Sequence, residues 1–371
     1  MKILIAPNAF KDSLPAREVA AAMKRGALAT FPDADITCIP VADGGDGTLD
    51  AICEKENRIQ VSVSDPLGRT HIASIGILEP GNAIIEIAQA SGLALLTQEE
   101  RNPWLTSSFG SGELIRHSLD SGAKQIIVGL GGSATNDCGA GLLAALGAKF
   151  LDSNGRPVQP CGGNLREIQH VDMSDIDNRL TSSSITGLCD VDNPLVGQRG
   201  ASHIYGPQKG ADAAMVSELD FNLEHFGRLL EAAVGKSILN VPGSGAAGGI
   251  AAAILALGGT LKPGFATIAR LLGLEQAIQD ADLVIAGEGK TDSQTGSGKA
   301  PAGVIALAKS YSTPVILISG AIVGDIVDAA AFSISRGPES LASALLHAAE
   351  ALESATARVL KAVAVGMRIA R

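Results

Sequence analysis

Short continuous apolar runs, each broken by a glycine-bearing loop and followed by apolar residues at helical spacing, set the rhythm of this chain. Lys2-Ile3-Leu4-Ile5-Ala6 reads as a strand covered on both faces. After the loop from Pro7 to Ser13, the positions Ala16, Val19, Ala20, Met23 and Ala27 keep helical spacing, with Ser13 as the expected N-cap. Ile36 to Val41 is a second strand that leads through Ala42 to Thr48 into another helix, the opening of a parallel α/β sheet. The pattern then changes. Arg58 to Val63, His71 to Leu78 and Ala83 to Ile87 are strand-like runs separated by Asp65-Pro66-Leu67-Gly68 and Glu79-Pro80-Gly81-Asn82, which predicts antiparallel pairing. A domain boundary is expected near residues 80–90.

Helical spacing returns from Gly112 to Ser121, and Gln125 to Val128 is a buried strand. Ala148 to Leu151 and Arg156 to Val158 flank Asp152-Ser153-Asn154-Gly155, a hairpin signal. Ser184 to Cys189 is another strand, Asp212 to Val234 a long helix closed by Gly235, and Ile238 to Val241 a possible short strand. The α/β rhythm resumes with strands at Leu283 to Ala286, Val315 to Ser319 and Ala331 to Ser335, and the chain is helical from Pro338 onward.

The chemistry gathers in four loops at the carboxyl ends of apolar strands. The fullest is Gly129 to Gly141, GLGGSATNDCGAG, where a strand breaks and a helix restarts. Unpaired N–H groups and the positive end of a helix dipole would form an anion site there. Ser133, Thr135 and Asn136 add donors, and Asp137 could cap the helix or hold a metal. The others are Ala42 to Thr48, Asp190 to Leu195, and Gly287 to Lys299. One such loop is equally a tight turn that needs glycine for positive φ. Four at the sheet edge where open α/β proteins bind ligands point to a phosphate-bearing ligand.

Spacing excludes the better-known phosphate loops. A Walker A motif would need a glycine at Val284 or Ser293. Gly243, Gly245 and Gly248 fit GxGxxG, but no acid follows at the required distance before Glu275. Protein-kinase HRD and DFG loops, a GxSxG elbow and metal-ligand histidine spacing are all absent. What remains is a set of acids, Asp43 and Asp46, Asp190 and Asp192, Glu288 and Asp292, with the cations Lys11, Lys209, Lys290 and Lys299. Phosphoryl transfer requires such a mixture: positive groups on the moving charge and a carboxylate near the acceptor hydroxyl.

Composition narrows the class. Acids outnumber bases 39 to 29, a net charge of −10, which argues against a nucleic-acid partner and leaves a small-molecule substrate. The five cysteines form no CxxC pair and read as reduced thiols. The longest apolar run, Ala246 to Gly259, is too short to span a membrane, so no membrane partner and a cytoplasmic location are expected. Oligomeric state is not readable.

Taken in order, APNAFKDSL, ADGGDGT, GLGGSATND, CDVDNPL with GPQKGA, GSGAAGG, and GEGKTDSQT with GKAP resemble the type I glycerate kinases over nearly the whole chain. The resemblance implies ATP-dependent, Mg²⁺-assisted phosphorylation of D-glycerate to 2-phosphoglycerate, with 3-phosphoglycerate as the other product of a transfer to glycerate. It also implies a flavodoxin-like parallel α/β domain formed by both chain ends, residues 1–85 and 268–371. A mixed α/β domain, 86–267, is inserted between them, with the active site in the cleft. Departures from the family pattern are Asn8-Ala9 for Asp-Ser, Cys138 for glycine, and Lys290 for arginine, which keeps charge but loses the bidentate fork. The expected catalytic residues are Asp190, Lys11 and Lys290; Gly131, Gly132, Ser133, Gly44, Gly45 and Gly289 would bind nucleotide; Asp43 and Asp292 would hold Mg²⁺. A kinase of another small hydroxy acid, or a nucleotide-binding sensor without turnover, is the alternative.

Overall fold

The structure, a computed structural model, describes residues 1–45, 47–292, 300–324 and 329–369, with the Asp292 side chain outside the described residues. Asp46 and Lys299, named above as candidates, also lie outside them. The strands described are β1 (Lys2–Pro7), β2 (Asp35–Cys38), β3 (Arg58–Ser64), β4 (Thr70–Glu79), β5 (Asn82–Glu86), β6 (Gln125–Gly129), β7 (Lys149–Leu151), β8 (His170–Asp172), β9 (Ser184–Leu188), β10 (Thr260–Lys262), β11 (Leu283–Asp292), β12 (Val315–Val323) and β13 (Ala330–Ser333). The chain divides into two compact units: Met1–Asp43, Asp50–Ile52 and Gly264–Arg371 in one, Gly44–Leu49 and Cys53–Pro263 in the other.

In the first unit five parallel strands lie in the order β13-β12-β11-β1-β2. Counted by appearance within the unit this is 2-1-3-4-5 read from the β2 edge, the order of flavodoxin-like sheets. Ile3 and Ile5 point to one layer with Val19, Met23 and Leu352, and Leu4 and Ala6 to the other with Val284, Val304 and Leu317. The continuous apolar run at the N-terminus is thus a strand with helices on both faces, as its pattern predicts.

β11 runs on to Asp292, whereas the glycines after Ala286 predict a loop. The reason is tertiary. Glu288, Lys290 and Thr291 keep register with Ser319, Ala321 and Ile322 of β12, so the ladder continues through the glycines. Gly289, Lys290 and Asp292 are therefore strand residues.

The second unit carries a six-stranded mixed sheet in the order β10-β9-β6-β5-β4-β3. β3, β4 and β5 pair antiparallel, as the turn-bounded runs predict, and β5, β6, β9 and β10 are parallel. Their placement corrects the expected boundary. β5 lies against β6 with Glu86 opposite Gly129, so the stretch from Cys53 to residue 85 stands with the second sheet, not the first. The core is aliphatic: Ile85, Val128 and Leu142 meet Ile250, Ile254 and Phe226.

The turn expected at Asp152–Gly155 forms, with Asp152 N–H donating to the Arg156 carbonyl at 2.9 Å, Val158 N–H to the Phe150 carbonyl at 2.8 Å and Leu151 bridging Pro157, while β7 pairs along its length with β8. One smaller expectation changes. Residues 238–241 are no strand, so the GxGxxG at Gly243 lacks the strand that a dinucleotide loop requires. No helix among the described residues is long and apolar enough to cross a membrane.

Candidate active site

In the second unit the carboxyl ends of β5, β6 and β9 stand in line, with Glu86 paired to Gly129 and Gly129 to Leu188. Gly131 and Asp190 each follow two residues beyond a paired position. Gly131 donates to the Gly44 carbonyl at 3.2 Å, which joins two of the glycine loops expected to bind nucleotide. Gly44 takes φ +87, and a Cβ there would stand 2.6 Å from Leu188 Cβ. A side chain at Gly129 would meet Gly44 O at 2.8 Å. Glycine is required at both by this close approach. Gly45 accepts the Thr48 hydroxyl at 2.7 Å.

After Gly131 the chain turns through Gly132, exposed with φ +72, to Ser133, which is buried. The helix expected over Leu142 to Leu146 runs from Ala140 to Ala145. Its first N–H groups are consumed. Asp137 accepts from the Ser108 N–H at 2.7 Å and hydroxyl at 2.8 Å, and from the N–H groups of Gly139 and Gly141 at 3.1 and 3.2 Å. Ser108 Oγ in turn accepts from the Leu142 N–H at 3.0 Å. This overturns the expected helix-terminus anion site, and of the two roles open to Asp137 capping is the one observed. Burial pushes its carboxyl above the ordinary range, opposed by those donors.

The main finding at this loop is Lys209, which is 1% exposed. It ends the short turn Pro207–Lys209, closed by Gly210 at φ +100. Its Nζ donates to Ser133 Oγ at 2.8 Å and to the Thr135 carbonyl at 2.7 Å. Burial lowers its pKa to about 7, with the Asp137 charge acting in the other direction. Alongside it Thr135 Oγ1 and Asn136 Oδ1 are buried without a partner among the described residues, while Asn136 Nδ2 donates to Ser202 Oγ at 2.9 Å. The sequence offers Lys209 only as one of several cations. The flanking Gly206, Pro207 and Gly210 mark a fixed turn, but nothing local shows that the lysine is buried.

Asp190 is exposed after β9, and no helix forms through Pro194. Asp192, its sequence partner, pairs with Arg199 at 2.9 Å. Asn193 braces the segment, accepting from Tyr205 Oη at 2.7 Å and donating to the Arg199 carbonyl at 2.8 Å. Cys189 beside Asp190 has its thiol pushed up by burial.

The first unit gathers a different group at the carboxyl end of its sheet. The backbone of Phe10 and Lys11 lies against Gly289, where a Cβ would come within 3.2 Å of Lys11 N. Lys11 and Lys290 are both exposed. Behind them Glu288 is buried and accepts the Thr291 hydroxyl at 2.7 Å, which also meets Ser319 Oγ at 2.6 Å. Asp43 is half-buried. No three His, Cys, Asp or Glu side chains among the described residues converge on a metal position. A dedicated protein cage for Mg²⁺ is therefore not present among them. Mg²⁺ bound through substrate phosphates needs only one or two carboxylates.

A flavodoxin-ordered sheet and a mixed sheet, each with glycines, cations and carboxylates at strand carboxyl ends, define an α/β protein of the ligand-binding kind. Comparison with known proteins makes this specific. Residues 3–364 match the Glycerate kinase family. The chain is 46% identical to a glycerate 2-kinase of Escherichia coli (strain K12), over 99% of each chain. It is 44% identical to a glycerate kinase of Bacillus subtilis (strain 168), over 100% of this chain and 99% of that one. A solved structure from Salmonella typhimurium LT2, designated glycerate kinase 2, superposes with a TM-score of 0.89 at 42% identity over 99% of each chain. The chain belongs to the glycerate kinase family and is a kinase.

Proposed function

We propose that this enzyme transfers the γ-phosphoryl group of ATP to the 2-hydroxyl of D-glycerate, giving 2-phosphoglycerate and ADP. The observation that carries the reading is the Gly131–Ser133 turn at the end of β6, set against Gly44 and backed by the buried ammonium of Lys209. Phosphoryl transfer is chiefly positioning and electrostatics, and this turn offers glycine backbone, a hydroxyl and a cation in one place. The choice of the 2-hydroxyl follows the name of the Escherichia coli relative, identical at 46% of positions.

In this reading Gly131, Gly132 and Ser133 contact the phosphates, with Gly44 and Gly45 beside them and Gly289 serving the first unit's loop. Asp190 orients the acceptor hydroxyl and takes its proton as the oxygen attacks phosphorus. Lys11 and Lys290 supply positive charge to the phosphoryl oxygens. Asp43 would hold Mg²⁺, which neutralises phosphate charge when bound; the side chain of Asp292, the other expected ligand, lies outside the described residues. The cytoplasm, where ATP and reduced thiols occur, is the expected compartment.

The test is a coupled ADP-release assay with D-glycerate, L-glycerate, glycerol and tartronate, followed by phosphorus NMR of the product. D-Glycerate should be the preferred acceptor and the phosphate should sit on O2. ATP binding with no turnover of any acceptor would refute the enzymatic reading, and phosphate on O3 would refute the regiochemistry alone.

A further inference from the structure

Lys209 presents an energetic puzzle. Its two hydrogen-bond partners, a serine hydroxyl and a backbone carbonyl, are uncharged. Among the described residues no carboxylate forms an ion pair with it; the Asp137 charge reaches it only through space. A strut between a hydroxyl and a carbonyl needs only a neutral donor. Burying an ammonium for that purpose carries a desolvation penalty that an amide would avoid. A charge kept in such a place is explained by a charged ligand that arrives later.

The hydrogen-bond direction says how. As an ammonium, Nζ has only protons to give, so in that form Ser133 Oγ is the acceptor of the bond. The serine's own proton must point away from Nζ, and Ser133 directly follows the exposed Gly132. We infer that Lys209 is a positioning residue for anion recognition: it turns the Ser133 hydroxyl into a donor aimed at a phosphate oxygen of the nucleotide and sets a positive charge behind it. This rests on the reading of Gly131–Ser133 as the phosphate-contacting turn. The charge that reaches Lys209 is that of Asp137 from the β6 loop; beside the turn the Arg101 carbonyl faces Gly210, and His203 on the helix Ala201–Tyr205 stands 4.0 Å from Asp220.

The experiment is a mutant cycle on the full-length enzyme with Ser133→Ala, Lys209→Met, Lys209→Gln and the Ser133→Ala/Lys209→Met double variant. MgATP affinity is read by calorimetry, kcat and both KM values by coupled assay, and folding by circular dichroism. Ser133→Ala and Lys209→Met should each weaken MgATP on the order of 10- to 100-fold, the range of a charge-assisted hydrogen bond. The double variant should be little worse than either single one, because both remove one interaction. Lys209→Gln, which keeps a donor but no charge, should fall between wild type and Lys209→Met. Additive losses, or wild-type affinity in Lys209→Gln, would make Lys209 a plain strut and overturn the inference while leaving the loop reading intact. Normal MgATP affinity in Ser133→Ala would overturn the loop reading and this inference with it. A loss confined to the KM for glycerate would assign the anionic oxygen to the acid's carboxylate and overturn the phosphate assignment. Should the Lys209 variants not fold, wild type and Ser133→Ala are compared from pH 6 to 9. Wild-type affinity should fall as the pH rises past neutrality and the ammonium loses its proton, and Ser133→Ala should be flat; a flat wild-type profile would count against the inference equally.

Discussion

Asp190 and Lys209 mark two opposite ways of placing a charge. Asp190 is exposed, on a segment that Pro194 keeps from becoming helix and that Asn193 ties to Tyr205 and Arg199. A carboxylate there keeps its reach without a large desolvation cost, which suits a group that must meet a small substrate. Asp190→Asn is nearly isosteric and removes the negative charge together with the ability to accept a proton. We expect kcat to fall on the order of 10²–10⁴ with MgATP affinity unchanged, measured by steady-state kinetics beside calorimetry. Near-normal turnover would place the base elsewhere. Lys209 makes the reverse arrangement, and its sign is instructive. Its folded pKa, about 7, lies below the ordinary 10.5, so between those values the unfolded chain holds the extra proton. Stability from this group therefore rises with pH across that window, by roughly 1.4 kcal/mol per unit, and the penalty is complete below about 7. The charged state that anion binding requires is thus the one the fold tolerates least.

At the level of elements, the glycine segment Gly243–Gly249 shows how a motif can be mistaken for a ligand loop. Gly248 takes φ +66, and a Cβ there would come within 1.9 Å of the Thr135 carbonyl oxygen. Gly249 packs on Cys138 in the same way, and Cys138 N–H donates to the Gly248 carbonyl at 3.0 Å. These glycines let one loop lie on the backbone of another and so hold the β6 loop in shape. Gly235, the C-terminal stop of the helix Ala213–Val234, has nearly the same φ, +67, with nothing within 4 Å of its would-be Cβ. The pair separates backbone strain from steric overlap. Gly235→Ala should cost about 1 kcal/mol by chemical denaturation, the left-handed penalty alone. Gly248→Ala should cost that plus about 1–3 kcal/mol of overpacking, or fail to fold. Equal costs would mean that the loops separate easily. The same comparison explains what was legible in sequence. The helix Ala213–Val234 is readable end to end, because Asp212 accepts from Met215 N–H and Gly235 closes it, both local signals. β11 is not readable past Ala286, because the ladder that carries Gly287, Glu288 and Lys290 belongs to β12. Nor is the Ser133–Lys209 bond, whose partners are 76 residues apart.

For the whole molecule, the outline of two α/β sheets follows from the order of runs and loops, but the boundary between units does not. Strands β3–β5 follow the first sheet's elements in sequence and pair with the second sheet, a choice made by β6 across the intervening helix Phe109–Asp120. The aliphatic cores of the two units are separate clusters, so each can be followed by its own probe. The chain has a single tryptophan, Trp104, and it lies in the second unit. Its indole fills the space over Gly163, where a Cβ would come within 2.2 Å of Nε1, and it packs against Ala211, Val216 and Leu219 just beyond the Lys209 turn. Tryptophan fluorescence therefore reports unfolding of the second unit, while far-ultraviolet circular dichroism reports both. A ligand that binds only the folded form at 100 times its Kd stabilises it by about 2.7 kcal/mol. At roughly 2–4 °C per kcal/mol for a unit of this size, saturating MgATP should raise the fluorescence midpoint by about 5–10 °C. The shift should shrink in Ser133→Ala, because the phosphate-contacting turn belongs to this unit. If circular dichroism moves and the fluorescence midpoint stays, the nucleotide is held by the first unit, and the β6 loop is a packing turn whose glycines serve the backbone alone.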